Sequence, residues 1–237
     1  MSSTASTPAP PSLGGRTVLV TGAGGGLGAA TAQAAGAAGA EVILLGRNVR
    51  NLEAVYDAIV DAGGPDPGIV PVDLEGASPD DYLDIAGRIE TQCGRLHALV
   101  HNAAITGPLT PIEQYPPLEW MRVMQVNLHA PMLLTQACLP LLRHDEDPRI
   151  LFIGDERRRG YWGAYGVSKA GLDALAAILD DELKGRYPIA VDTFCPEPMR
   201  TGMRIRAFPG ELPGEVPGPE ASAQEIVRRL APSSADD

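Results

Sequence analysis

An α/β fold built on a doubly wound parallel sheet is predicted by three observations. Short β-branched or aliphatic runs alternate with longer helical stretches along the chain. Aromatics make up only 5% of the residues, while Ala, Gly, Val and Leu are plentiful; this suits helices packed closely on both faces of a sheet. The 237 residues are enough for one sizeable core in a single domain.

The opening MSSTASTPAPP has no apolar periodicity and cannot repay the entropy of ordering, so a disordered tail is expected over 1–12. One domain then occupies 13–230. Its strands are expected at Thr17–Thr21, Glu41–Leu45, Ile69–Asp73, Ala98–Asn102, Arg149–Ile153 and Ala190–Cys195. Helices are expected over Gly26–Ala38, Asn48–Ala62, Tyr82–Gln92, Leu118–Leu142 and Tyr165–Lys184, placed on both faces by right-handed crossovers. Gly36 interrupts the first helix at a cost of about 1 kcal/mol if exposed, so close packing against a strand is expected there. From Pro196 prolines and glycines crowd the sequence, and 196–220 is expected to be an irregular substrate lobe over the carboxyl edge of the sheet. A helix over Ser222–Leu230, no further strand and a second disordered tail over 231–237 complete the reading.

A formal net charge of −11 argues against a nucleic-acid partner, because such affinity rests on phosphate neutralisation by Lys and Arg. Arg157, Arg158 and Arg159 are a local exception, either a solvated loop or an anion-contacting one. Cys93, Cys138 and Cys195 are scattered, without CxxC or His at metal-ligand spacing, so neither a metal site nor a disulfide framework is expected. A reducing cytoplasm fits best. No apolar run approaches the ~18 residues of a spanning helix, and MSSTASTPAPP lacks the basic and apolar regions of a signal peptide, so a soluble, unexported protein is expected.

RTVLVTGAGGGLGAATAQ places a strand, a glycine-rich turn and a helix start in succession. Gly22, Gly26 and Gly28 allow a tight turn, close approach to a pyrophosphate and close helix packing, while the helix N-terminus offers free amides. The pattern points to a dinucleotide site of the Rossmann type, the alternative being a glycine-rich turn that binds nothing. No Lys-Ser or Lys-Thr follows the glycines, which excludes a Walker loop. After the second strand Gly46 and Arg47 stand where NAD-preferring folds place an acid. A guanidinium there makes a charge-assisted contact with a 2′-phosphate, favouring NADP(H) over NAD(H), unless Arg47 is an ordinary surface residue.

From about Leu13 to Phe208 the chain resembles the short-chain dehydrogenase/reductase family. TGAGGGLG at 21–28 matches its TGxxxGxG, YGVSK at 165–169 matches its YxxxK, and HNAA at 101–104 is similar to its NNAG. CPEPMRTGMRIRAFPGE, GRN and WGAYGVSKAG look most like the bacterial YciK-like branch. The resemblance implies hydride transfer between nicotinamide and a carbonyl or alcohol substrate. Tyr165 would be its acid/base, with Lys169 four residues on along the same helix face; a nearby ammonium stabilises phenolate and lowers the Tyr pKa. Lys169 would also hold the nicotinamide ribose, and Asn127 would support a water in the proton relay. The coenzyme would further meet Thr21, Leu27, Asp73, Leu74, Asn102, Ala103, Ala104, Pro196 and Thr201, with Asp73 at the adenine. Pairing of subunits through Leu118–Leu142 and Tyr165–Lys184 would give a homodimer.

Three departures stand out. The family's Ser after the fifth strand has no counterpart: ILFIGDERRRGYWGAY contains neither Ser nor Thr, and Asp155 falls nearest its place. An ionised Asp cannot donate, and at ~4 Å and an effective dielectric of ~20 it would oppose a forming alkoxide by about 4 kcal/mol, or about a thousandfold in rate. Three escapes are open: a protonated Asp155, an Asp155 turned toward Arg157, Arg158 or Arg159, or a hydroxyl from Tyr161. Glu197 replaces the family's Gly beside the nicotinamide, and the last strand is missing. The competing reading is therefore a catalytically impaired cofactor-binding or scaffold protein of the same fold. Substrate identity is not readable, since the loops Thr106–Trp120 and Met199–Val216 carry no diagnostic charged clamp.

Overall fold

The computed structural model describes residues 12–232. Of the two expected tails, residues 1–11 and 233–237 lie outside the described residues.

Six parallel strands form one sheet in the order β3-β2-β1-β4-β5-β6, with β1 Thr17–Thr21, β2 Glu41–Gly46, β3 Gly68–Pro71, β4 Ala98–His101, β5 Arg149–Ile153 and β6 Ala190–Phe194. The order turns back on itself between β1 and β4, the place where such sheets open a crevice at their carboxyl ends. Side chains alternate along each strand, so successive residues feed different cores. Leu19, Ile43, Leu45, Leu99, Ile150 and Phe152 pack with α3 (Pro79–Cys93), α5 (Ala130–Leu142) and α6 (Gly163–Leu183). Val18, Val20, Val42, Leu44, Val100 and Leu151 pack with α1 (Gly26–Ala37), α2 (Val49–Asp61) and α8 (Glu220–Leu230). Each such side chain, fully buried, contributes about 1.5–3 kcal/mol.

Local chemistry sets the helix ends. Asn48 accepts from the Asn51 amide to start α2, and Ser78 with Asp81 forms a capping box ahead of Pro79. That box starts α3 three residues before the expected Tyr82. The single helix expected over Leu118–Leu142 is instead α4 (Pro117–Met124), a widened π turn at Gln125–His129, and α5. Within 196–220 a short helix, α7 (Gly202–Ala207), interrupts the expected irregular lobe, with Thr201 capping it through the Arg204 amide. Strands β3 and β4 stop before Asp73 and Asn102, which therefore belong to the loops at the sheet's edge.

Gly36 does pack closely, but against a helix rather than a strand. An added Cβ would lie 2.6 Å from Ile59 Cγ2 on α2, and one at Gly64 would lie 2.9 Å from the same atom. Strand β6 is a sheet edge, and no strand covers it among the described residues. Arg229 of α8 reaches it through an ion pair with Asp192 at 2.5 Å.

Candidate active site

Because all strands run the same way, their carboxyl ends share one edge, and a cleft of about 540 Å³ lies along it. It begins at the turn between β1 and α1. Gly22 and Gly26 have φ of 67° and 54°, left-handed conformations that disfavour a side chain. At Gly28 space is the constraint: a Cβ would lie 2.2 Å from the Gly22 carbonyl oxygen. Helix α1 has neither a capping side chain nor an acid in its first turn, leaving its amides and positive end open to an anion.

Thr21 is 2% exposed and sits behind this turn. Its hydroxyl accepts from the Asn102 and Ala103 amides, each at 3.0 Å, and donates to the Val100 carbonyl. Fastened in this way, Asn102, Ala103 and Ala104 line the cleft beside Gly22, Gly26 and Leu27. Arg47, Asp73 and Leu74 line it where β2 and β3 end, together with Asn51, which the sequence reading missed. Arg47 and Asp73 are exposed, so both remain open to a ligand.

Tyr165 and Lys169 stand at the other end on α6, 5% and 3% exposed. The Lys169 ammonium donates to the Ile153 carbonyl at 2.6 Å and lies 6.0 Å from the centre of the Tyr165 ring. The expected lowering of the phenol pKa is reversed. Burial pushes it well up, Asp155 adds to the rise, and Arg157 only partly opposes it. Burial also brings the Lys169 ammonium down to about 8, against the pull of Asp155 and Asp173.

Asp155 takes the second of its three escapes. Its Oδ2 accepts from the Arg157 guanidinium at 2.5 Å and from the Tyr165 hydroxyl at 2.8 Å, while Oδ1 accepts from the Arg157 amide. Tyr161 is 63% exposed and contributes nothing to the cleft wall. Asn127, in the π turn and 1% exposed, is bound through its amide to both backbone groups of Ile105 and to the Ser168 hydroxyl. It braces the wall rather than lining it. Pro196, Glu197 and Thr201 line the cleft after β6, and the Thr201 side chain comes within 3.3 Å of a Cβ built at Gly26.

The charged groups that sequence reading did not find in the substrate loops come together in space. Arg157, Arg204 and Arg206 all line the cleft, with Trp162 and Phe208 between them. Arg157 lies 5.0 Å from the Trp162 ring centre, and Glu211 holds Arg204 at 2.6 Å. Of the three-arginine run, Arg158 instead pairs with Asp173. Only folding joins the loop after β5 to α7, so no spacing in the sequence marked this cluster.

The short chain dehydrogenase family model matches residues 16–211. The chain belongs to the short-chain dehydrogenase/reductase family. Within it, the uncharacterized oxidoreductase YciK of Escherichia coli (strain K12) is 36% identical over 210 residues, covering 87% of this chain and 82% of that protein, which sets this dehydrogenase in the YciK-like branch. A solved structure described as a short chain dehydrogenase from Pseudomonas syringae superposes with a TM-score of 0.93 at 43% identity, covering 97% of this chain and 94% of that one. Another, from Escherichia coli CFT073 and complexed with NADPH, gives 0.90 at 34% identity over 94% of both chains. Among the described residues of this dehydrogenase no helix is long and apolar enough to cross a membrane, and no cluster of three or more His, Cys, Asp or Glu is placed to hold a metal ion.

Proposed function

We propose that this dehydrogenase is an NADP(H)-dependent oxidoreductase acting on a small carbonyl or alcohol substrate. The observation that carries the reading is the single cleft joining an uncapped helix terminus and Arg47 to Tyr165 and Lys169. The residues fit the coenzyme: the turn at Gly22–Gly28 would cradle its diphosphate, which an added Cβ at Gly28 would obstruct. Arg47 would meet a 2′-phosphate, Asp73 and Leu74 the adenine, and Asn102 to Ala104 the adjoining ribose. Lys169 would hold the second ribose, with Pro196 and Thr201 beside the nicotinamide. When bound, the coenzyme supplies or accepts the hydride.

Tyr165 then exchanges the proton at the substrate oxygen, and Asn127 fixes the Ile105 backbone that lines the same wall. Titration with NADPH and NADH, followed by an aldehyde, ketone, quinone and alcohol panel, tests the reading. Binding of NADPH with turnover is expected; binding of neither coenzyme by folded protein would refute it. The impaired-scaffold reading draws no support from the relatives, and Tyr165→Phe separates the two. A loss of about a hundredfold or more in turnover marks an enzyme, and an unchanged rate marks an idle protein.

We also infer a homodimer. Leu118, Met121 and Met132 on α4 and α5, and Val167 and Ile178 on α6, are large apolar side chains left exposed. Light scattering that returns the monomer mass would overturn this.

A further inference from the structure

We propose that Asp155 carries the reaction's proton between the Tyr165 hydroxyl and a second, polar cleft behind the β5–α6 loop. The inference rests on the hydride-transfer reading above and assigns that site its route to solvent.

Three observations support it. The Tyr165 hydroxyl donates to Asp155 Oδ2 at 2.8 Å, a direct path for a proton. Asp155 also lines a neighbouring cleft of about 530 Å³, whose walls include Glu156, Arg158, Arg159 and Glu197. Its carboxylate is therefore shared by a buried phenol on one side and a polar space roomy enough for several waters on the other. Finally, two bonds from Arg157 hold the carboxylate in place beside the phenol.

In the oxidising direction the substrate O–H proton moves to the Tyr165 oxygen as the Tyr165 proton moves to Asp155 Oδ2. With coenzyme bound, the electron pair of the substrate C–H bond would leave as hydride to it, and a carbonyl would remain. Asp155 then releases the proton to water in the polar cleft. Reduction reverses each step. An acceptor in this place suits an alcohol, which brings a proton to give away, and makes oxidation the better-served direction.

The charges around the pair come from several elements: Arg157 from the loop, Lys169 and Asp173 from α6, Cys195 and Glu197 after β6, and Arg204 from α7. Two measurements test the relay. In protein without coenzyme, the losses of unfolding stability in Asp155→Ala and in Tyr165→Phe should not add up in the double variant, because the two side chains share one hydrogen bond. Additive losses overturn the contact on which the relay depends, whatever the coenzyme does.

In turnover with NADP and an alcohol, Asp155→Ala should lose about a hundredfold in kcat. Added formate or acetate should restore about tenfold or more, to an extent that follows the acid's pKa, which a purely structural defect would not do. Wild-type rates in Asp155→Ala, or the absence of rescue, overturn the relay. A wild-type protein that binds no coenzyme overturns the functional reading instead, leaving the stability cycle to stand alone.

Discussion

The Thr21 hydroxyl holds the Asn102 amide at 3.0 Å, tying the end of β1 to the end of β4 across the point where the strand order reverses. The same oxygen accepts from Ala103. The parts of the cleft wall that follow β1 and β4 thus meet at one side chain.

Thr21→Val keeps the shape and removes the acceptor. Two amides then lose their partner, and urea unfolding should report a loss of about 1–3 kcal/mol. NADPH affinity should fall as well. Unchanged stability would mean that water replaces the hydroxyl without cost.

Gly28→Ala tests the space behind the turn. A methyl group cannot fit 2.2 Å from the Gly22 carbonyl unless the turn opens, so a loss of about 1–3 kcal/mol and of coenzyme binding is expected. Calorimetry with NADPH decides, and normal binding would show that the turn is more pliant than its geometry implies.

Arg47→Leu bears on coenzyme choice. A charge-assisted contact with a 2′-phosphate is worth about 1.5–3 kcal/mol, so NADPH should bind roughly tenfold to a hundredfold more weakly while NADH is unaffected. Equal losses for both coenzymes would place Arg47 elsewhere than at the phosphate.

Lys169 gives a pH signature. Burial lowers its pKa to about 8 from 10.5, so between those values the unfolded chain binds more protons and stability rises with pH. The penalty, on the order of 3 kcal/mol, is fully present below pH 8. Relative to Lys169→Met, the native protein should therefore gain stability as pH is raised through this window. A constant difference in chemical denaturation would contradict the burial of a charged ammonium.

The sheet was legible because each strand is a short apolar run bounded by turn residues, and the tight turn after β1 because its glycines sit between a strand and a helix. The π turn at Gln125–His129 was not, since its sequence satisfies an ordinary helix equally well and the wider turn is set by Asn127 bonding to Ile105. Tyr165 and Lys169 were visible as a pair, yet their electrostatics were not. Burial shifts the phenol most, the carboxylate that adds to the shift comes from a different element, and the bond from Lys169 to Ile153 reaches the neighbouring strand. The arginines lining the substrate end were hidden for the same reason.

Ile59 is gripped by two residues that have no side chain, Gly36 and Gly64, and this reaches beyond packing. Any descendant that acquires a methyl group at either glycine must surrender bulk at the isoleucine, so the three positions are bound to drift together or stay as they are.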